Sequence, residues 1–407
     1  LFILIYYRKI INKEDPIRYK EKILVSYFNV REKENSKLIW FHAASIGEFK
    51  SIIPIINQLN LKRQNLKFLI TTNTLSSGNL AKKELKKIVN AEHRYFPYDV
   101  SFIIDKFLSL WKPDVIFLVD SEIWPNLILR ANQKKIPLAL INARLTRRSF
   151  KNWLTFFKTA KTIFGAFDLC LCSNRETENF LKRFDAKNIK YEGNLKLINE
   201  IDKRDLGTIN SDVLSNSRFW VAASTHKEEE IFCLKTHLEL KKNYNDIITI
   251  IVPRHLDRTQ KIKKLSLSLN LKVQVLNEND KILDNKEIII VNSFGVLQKY
   301  FYYAKSVFIG KSAIKRLKNE GGQNPIDAAK LGCKIYHGPF VYNFEEIYEF
   351  LEKINISKKI ESFNDLSTHL KEDLKKPKKD QNNNIDQIKN LEKNILFKTM
   401  RIINKFI

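Results

Sequence analysis

The strongest constraint on the fold is that short apolar runs alternate with helix-length amphipathic segments, and that this alternation occurs twice along the chain. Each run ends in small or polar residues, as buried strands do. Strands that alternate with helices predict a parallel sheet with helices on both faces. The predicted strands are 38–41, 67–74, 114–120, 137–143, 168–173 and 189–194, then 218–225, 247–253, 272–276, 287–293, 306–310 and 334–339. The sequence therefore predicts an α/β protein built from two Rossmann-like βα domains that face each other across a cleft.

The alternation also suggests where the domains begin and end. A length of 407 residues exceeds what a single hydrophobic core usually supports, so two or more domains are expected. We expect one Rossmann-like domain over 23–200 and another over 218–375, joined by a polar linker over 201–217 that lacks periodicity. Residues 376–407 are predicted to form a basic tail and a terminal helix. A cleft between two such domains is a usual place for a ligand.

Residues 1–22 have a different character from the rest of the chain. An apolar run of seven residues, LFILIYY, is followed by six basic residues before position 23. The run is too short to span a bilayer, which takes about 20 apolar residues. Because the chain begins at Leu1 without an initiator methionine, we expect a truncated membrane anchor or an interfacial helix. The alternative is a frayed helix at a domain edge.

The composition points to anionic partners and a reducing compartment. A net charge of +26 predicts attraction to nucleic acid, acidic lipid or a phosphorylated substrate. The basic residues are spread along the chain without a stacking-aromatic motif, which disfavours nucleic acid. The four cysteines lack the spacing of zinc ligands and are predicted to be reduced, buried thiols of a cytoplasmic protein.

The segment Leu38–Lys50, LIWFHAASIGEFK, contains the first candidate for catalysis. A buried strand leads through small residues into a helix whose first turn contains Glu48. This unit places a side chain at the carboxyl edge of a parallel sheet, where ligands bind in open α/β folds. A partly desolvated carboxylate there could accept a proton from a hydroxyl group. The alternative is that Glu48 only complements the dipole of its helix.

A second candidate segment is GGQNPID, residues 321–327. Its glycine pair allows the backbone to approach a ligand closely. Asn324 is a suitable N-cap, Pro325 suits the first helical position and Asp327 the third, so the helix start could bind a phosphate while Asp327 binds a ribose diol. The alternative is that Asn324 and Asp327 form a capping box only.

Basic residues near other predicted strand ends are candidate phosphate ligands. Arg254 and His255 follow one strand, and Lys196 lies where the first domain ends. Phe294, Gly295 and Val296 follow another strand, where the backbone could approach a base or a phosphate. The sequence has no Asp-x-Asp pair, P-loop, GxGxxG or GxSxG motif. Helix dipoles and cations would therefore neutralise a leaving phosphate without a metal or a cofactor.

Taken together, these motifs resemble the 3-deoxy-D-manno-octulosonic acid (Kdo) transferases of lipopolysaccharide assembly. The matching segments are collinear over about residues 20–350, and their order is highly specific. They are IWFHAASIGE (39–48), ITTNTLSSG (70–78), YFPYD (95–99), SEIWPN (121–126), INARLTRRS (141–149), EGNLK (192–196), AASTHKEEE (222–230), VPRH (252–255), GGQNPID (321–327) and LGCKIYHGPFVYNF (331–344).

The resemblance implies a GT-B fold, with acceptor binding by the first domain and CMP-sugar binding by the second. It implies transfer of Kdo from CMP-Kdo to a tetraacylated lipid A precursor (lipid IVA), with inversion and without a metal, at the cytoplasmic face of the inner membrane. Glu48 matches the general base, and Glu122 and Lys196 match positions thought to stabilise the transition state. The positions that match CMP-contacting residues are Arg254, His255, Phe294, Gly295, Val296, Asn324, Pro325, Ile326 and Asp327.

The sequence also departs from the family pattern and leaves other functions open. The family more often has Glu at the position of Asp327 and His at that of Gln323, and 311–320 is more basic than expected. One alternative is another GT-B glycosyltransferase that uses a UDP- or GDP-sugar. Others are a nucleic-acid-binding protein and a membrane-bound remnant without activity.

Overall fold

The computed structural model describes residues 2–11, 13–24, 36–63, 65–88, 90–318, 321–375 and 382–407. The chain divides into two compact units. The first unit comprises Leu1–Glu200 with Glu392–Ile407, and the second comprises Ile201–Leu391. Within the described ranges, no helix is both long enough and apolar enough to cross a membrane.

The first unit is built on a sheet of seven parallel strands. They are β1 Lys37–His42, β2 Leu66–Thr72, β3 Ala91–Tyr95, β4 Val115–Val119, β5 Leu138–Ala143, β6 Leu169–Cys172 and β7 Ile189–Tyr191. Their spatial order is β3-β2-β1-β4-β5-β6-β7. The strand order therefore reverses between β1 and β4, and this switch point is where open α/β sheets bind ligands.

Helices flank this sheet and account for the burial of its central strands. They are α1 Phe2–Ile10, α2 Ile46–Lys62, α3 Leu75–Glu84, α4 Ser101–Trp111, α5 Pro125–Gln133, α6 Arg147–Thr155, α7 Phe157–Phe164 and α8 Arg175–Arg183, with short 3₁₀ helices at Arg18–Lys22, Leu85–Lys87 and Leu195–Ile198. Leu38 to His42 are all buried, as expected for a strand covered on both faces. Trp40 packs on Phe107 of α4 with ring centroids 4.8 Å apart.

The second unit has its own sheet of seven parallel strands. They are β8 Phe219–Thr225, β9 Ile248–Pro253, β10 Val273–Leu276, β11 Ile288–Val291, β12 Ser306–Ile309, β13 Lys334–His337 and β14 Ser357–Lys359. Their order is β10-β11-β9-β8-β12-β13-β14. The switch point of this sheet lies between β8 and β12, so the loops that follow these strands are expected to bind a ligand.

The remaining helices complete the second unit and end the chain. They are α9 Ser211–Asn216, α10 Glu229–Lys241, α11 Thr259–Ser268, α12 Leu297–Tyr303, α13 Ile326–Lys330, α14 Glu345–Lys353, α15 Phe363–Leu374 and α16 Asn382–Phe406, with 3₁₀ helices at Lys203–Leu206, Leu256–Arg258, Lys315–Leu317 and Tyr342–Phe344. Residues 392–406 of α16, together with Ile407, belong to the first unit, where Ile395, Met400 and Ile403 are buried.

These two parallel sheets confirm the predicted α/β class, but two strands lack a sequence signal. β3 reads AEHRY, in which charged and apolar residues are mixed, and β14 is the three-residue SKK. Both lie at sheet edges, where exposed polar side chains are tolerated.

The segments predicted as linker and tail contribute to the two units as follows. Residues 201–217, the predicted linker, contain a 3₁₀ helix and α9 within the second unit, and Leu206 and Leu214 are buried there. Residues 376–381 of the predicted basic tail lie outside the described residues.

The four cysteines are free and buried, and burial raises the pKa of the Cys172 thiol to about 12.

Candidate active site

Glu48 lies just beyond the carboxyl end of β1, in the first turn of α2. Ser45 caps this helix, and its side chain forms a capping box with Glu48. The Ala44 N–H donates to Glu48 Oε2 at 2.8 Å, and the Ser45 hydroxyl donates to Oε1 at 2.8 Å. Glu48 therefore lies in the first turn of its helix, as the dipole alternative requires, and it also completes a capping box. This capping box fixes the carboxylate at the switch point of the sheet.

The electrostatic setting of Glu48 differs from that of an ordinary helix cap. Burial raises its pKa from 4.5 to about 7, and the negative charges of Asp120 and Glu122 act in the same direction. The hydrogen bonds from Ser45 and Ala44 oppose this shift only in part. A carboxylate with a pKa near neutrality can accept a proton and remain ionised often enough to work as a base.

Glu122 follows β4 and is held through one of its two oxygens. Its Oε2 lies 2.8 Å from Trp124 Nε1 and 3.1 Å from Nε2 of His42, which is the last residue of β1. No residue that the structure describes forms a hydrogen bond with Oε1. Only 15% of the side chain is exposed, so the carboxylate is oriented and partly desolvated.

Lys196 reaches the same sheet edge from the loop after β7. Its Nζ donates to Asp120 Oδ2 at 2.5 Å, and Asp120 is buried directly after β4. Asn142 at the end of β5 accepts the Leu195 N–H at 2.8 Å and so fixes the 3₁₀ helix that contains Lys196. Asp120 has a left-handed backbone with φ of 64°, which Asp tolerates better than most residues.

In the second unit, a buried carboxylate organises the loop after β12. Glu229 accepts the backbone N–H groups of His226 at 2.9 Å and of Ser312 at 2.8 Å, and also those of Lys311 and Ala313. Gly310 fits here because a Cβ atom would lie 2.6 Å from the Ser224 carbonyl oxygen. The loop that positions Lys311 is thus tied to the end of β8.

Cationic side chains gather around His226 at the same end of this sheet. Burial lowers the pKa of His226 to about 4, and Lys311, His255, Arg254 and Arg316 lower it further. The rings of His226 and His255 lie 5.5 Å apart. A position at which several cations oppose protonation is electropositive and suits a phosphate or a carboxylate.

Within the GGQNPID segment, the helix begins one residue later than predicted. The helix α13 begins at Ile326, so Pro325 precedes the first helical residue and Asp327 is the second residue rather than the third. The cause is local, because Asn324 Oδ1 accepts the Ile326 N–H at 3.0 Å and forms a turn before the helix. The alternative, a capping box between Asn324 and Asp327, is wrong, because Gln298 Nε2 donates to Asp327 Oδ2 at 2.9 Å instead.

The structure brings some of the predicted nucleotide ligands together. Gln298 belongs to α12, which directly follows Phe294, Gly295 and Val296, so its bond to Asp327 joins these two segments. The Phe294 ring is 72% exposed, and Arg254 and His255 are exposed after β9. Among the described residues, no group of three or more His, Cys, Asp or Glu side chains is arranged to hold a metal ion.

Comparison with known proteins identifies the family of this chain. A family model described as 3-Deoxy-D-manno-octulosonic-acid transferase (kdotransferase) matches residues 18–199. The 3-deoxy-D-manno-octulosonic acid transferase of Rickettsia bellii is 30% identical over 421 residues, which cover 100% of this chain and 96% of that protein. The chain belongs to the Kdo transferase family. It is therefore a glycosyltransferase, and the resemblance stated from its motifs is confirmed.

Further likenesses place this Kdo transferase among proteins of known sequence and fold. The Kdo transferase of Aquifex aeolicus is 27% identical over 352 residues, which cover 86% of this chain and 90% of that protein. The solved structure of a glycosyltransferase from Rickettsia africae ESF-5 matches with a TM-score of 0.60 at 13% identity, covering 92% of this chain and 99% of that one. The fold is that of the GT-B glycosyltransferases, as expected.

Sequence reasoning missed several residues of this Kdo transferase that surround the predicted ones. Asp120, His42 and Glu229 each contact a site residue or a site loop, yet none was a candidate. A signal was available for Asp120 and His42, because both are polar residues at the end of a predicted apolar strand. The role of Glu229 in fixing the loop after β12 could be found only from the fold, since Lys311, Ser312 and Ala313 lie more than 80 residues away along the chain.

Proposed function

We propose that this Kdo transferase moves Kdo from CMP-Kdo to a hydroxyl group of a tetraacylated lipid A precursor (lipid IVA), with inversion and with Glu48 as general base. The observation that carries the proposal is a partly buried carboxylate at the switch point of the first sheet whose pKa is raised to about 7. Membership of the family supplies the sugar that is transferred.

In this mechanism Glu48 removes the proton from the acceptor hydroxyl as the oxygen attacks the anomeric carbon of Kdo. The bond from that carbon to the CMP phosphate breaks, and the electron pair leaves with CMP. Attack from the face opposite the leaving group inverts the anomeric centre. Glu122 and Lys196 are assigned to stabilise charge in the transition state, which fits a carboxylate with one uncommitted oxygen and an ammonium group held by Asp120.

The CMP group is assigned to the second unit. The support is the cluster of cations around His226, where Arg254 and Lys311 can take up the negative charge of the leaving phosphate. The remaining contacts are assigned to the segments that Asp327 and Gln298 join, namely Phe294, Gly295, Val296, Asn324, Pro325 and Ile326. In this proposal Arg254 and Lys311, rather than a metal, neutralise the leaving phosphate.

The acceptor is a lipid, and the N-terminal part of the first unit has the surface that such a substrate requires. An apolar groove of about 600 Å³ is lined by residues of α1, of the 3₁₀ helix that follows and of the two positions after it, including Ile5, Ile10 and Ile23. Exposed apolar side chains beside basic ones are typical of segments that bind the surface of an acidic membrane. We therefore propose that residues 1–22 contact the cytoplasmic face of the inner membrane.

The buried end of this segment is fixed to the sheet. The Lys22 ammonium pairs with Glu14 at 2.6 Å and donates to the Asn73 carbonyl at 3.0 Å, directly after β2. A lipid-binding surface and the loop at the switch point therefore share one rigid support, since the Asn73 N–H donates to the Ala44 carbonyl at 3.3 Å. This connection would hold the lipid near Glu48.

The test is transfer from CMP-Kdo to lipid IVA, followed by mass spectrometry of the product, for the wild type, Glu48→Gln and a matched Glu200→Gln control. Glu200 is an exposed carboxylate of the same unit. Loss of a general base typically costs about 10²- to 10⁴-fold in kcat, whereas the control should retain full activity. Equal rates for wild type and Glu48→Gln would refute the assignment of the base.

Calorimetric titration with CMP, UDP and GDP tests the donor separately. We expect CMP to bind most tightly, and tightest binding of UDP or GDP would favour the alternative donor sugars. Co-sedimentation with vesicles that contain anionic lipid tests the membrane surface, and binding equal to that on neutral vesicles would contradict it.

A further inference from the structure

His42 is a fully buried imidazole beside Glu122 that the proposed mechanism does not use. It is the last residue of β1 and has no exposed surface. Its ring stacks on that of Phe96 with the ring centroids 3.9 Å apart. The Trp124 ring packs edge-on against it with the ring centroids 6.0 Å apart. Burial of a polar ring is costly unless its nitrogen atoms form hydrogen bonds, and both of them do so here.

The partners of His42 determine which nitrogen carries a proton. Trp40 Nε1 donates to Thr71 Oγ1 at 2.9 Å, which leaves the hydroxyl hydrogen of Thr71 available for His42 Nδ1 at 2.9 Å. In that arrangement the neutral ring carries its proton on Nε2. If Nδ1 instead donates to the Thr71 carbonyl at 3.1 Å, the ring must carry both protons to satisfy an ionised Glu122. Both arrangements place an N–H on Nε2, facing the carboxylate.

This N–H has a specific consequence for Glu122. Two donors, His42 Nε2 at 3.1 Å and Trp124 Nε1 at 2.8 Å, meet on Oε2. Within the described part of the chain, Oε1 receives no hydrogen bond. A carboxylate that is fixed through one oxygen in this way has one orientation and keeps its other oxygen for a ligand.

We propose that His42 is a positioning residue of this glycosyltransferase, which holds Glu122 through its Nε2–H so that Oε1 remains available to the reacting groups. This rests on the proposed role of Glu122 in the transition state. The hydrogen-bonded series Trp40, Thr71, His42 and Glu122 begins in the core of the sheet and ends at its carboxyl edge. The rigid core thereby sets the orientation of a side chain at the site.

The experiment compares His42→Phe with His42→Gln in the full chain. Phenylalanine preserves the planar ring that stacks on Phe96 but has no donor, whereas glutamine can present an N–H near the position of Nε2. We expect His42→Phe to lower kcat by about 10- to 100-fold with KM for the acceptor changed by less than about threefold, and His42→Gln to recover most of kcat. Equal kcat for His42→Phe and wild type would overturn the proposal, as would an equal loss of kcat in both variants.

A double-mutant cycle with Glu122→Gln separates this inference from the proposed function. If His42 acts through Glu122, adding His42→Phe to Glu122→Gln should change kcat by less than about threefold. Additive losses would show that His42 acts elsewhere and would overturn the proposal. An unchanged kcat in Glu122→Gln alone would instead refute the role of Glu122 in the proposed function.

Nuclear magnetic resonance of ¹⁵N-labelled histidine tests the hydrogen bond without any assay of activity. The chain has seven histidines, so the signal of His42 can be assigned by its loss in His42→Phe. We expect a slowly exchanging proton on Nε2 whose shift changes in Glu122→Gln. An unprotonated Nε2 would overturn the proposal whatever the kinetics show.

Discussion

The raised pKa of Glu48 predicts a pH-dependent difference in stability between the wild type and Glu48→Gln. Folding moves this carboxyl from its ordinary pKa of 4.5 to about 7, because burial and the charges of Asp120 and Glu122 disfavour ionisation. The folded state therefore binds the proton more tightly than the unfolded state does. The stability that the protonated group contributes is fully present below about pH 4.5 and is lost as the pH rises through about 7.

The size of the effect follows from the shift. A change in pKa from 4.5 to about 7 corresponds to about 3 kcal/mol at roughly 1.4 kcal/mol per unit, which is an upper limit because the side chain is only partly buried. Glutamine cannot ionise but still reaches the backbone N–H groups at the start of α2. The free energy of unfolding of Glu48→Gln, measured relative to that of the wild type, should therefore rise by up to about 3 kcal/mol between pH 4.5 and pH 8. Most of this rise should occur below pH 7.

The assay is urea unfolding at a series of pH values, monitored by tryptophan fluorescence. Four of the five tryptophans lie in the first unit with Glu48, and Trp220 lies in the second. Both proteins should carry Trp220→Phe, so that the signal reports the unit that contains the mutation. Glu200→Gln in the same background controls for the loss of one negative charge. If the difference in the free energy of unfolding between wild type and Glu48→Gln stays constant from pH 5 to pH 8, the reasoning is refuted.

Three further predictions concern activity and binding. Because Glu48 must be ionised to act as a base, kcat/KM should fall about tenfold per pH unit below about pH 7, and an unchanged rate at pH 5.5 would contradict this. Lys196→Met leaves the buried Asp120 without its cation and should lower the free energy of unfolding, measured with urea, by about 3–5 kcal/mol. Adding Asp120→Asn to this variant should restore its stability but not its activity. Arg254→Gln should weaken CMP binding by about tenfold in calorimetry, whereas a change below twofold would remove Arg254 from the phosphate site.

Much of the fold could be predicted because covered parallel strands are continuous apolar runs. Twelve predicted strands correspond to strands of the two sheets, and the missing β3 and β14 are edge strands whose polar side chains give no periodic signal. The start of α13 was predicted one residue too early, because the turn at Asn324 depends on a side-chain hydrogen bond rather than on helix propensity.

In the candidate site, too, some features follow from the local sequence and others only from the tertiary structure. The sequence alone determined that Glu48 begins a helix directly after a buried strand, since strand, turn and cap lie within a few neighbouring residues. Only the tertiary structure decided which groups surround it. The sheet order puts β1 next to β4, and the loop after β7 brings Lys196 to Asp120 across 76 residues of chain. Burial and charge at that edge then raise the pKa of Glu48, and neither quantity exists until distant strands are packed side by side.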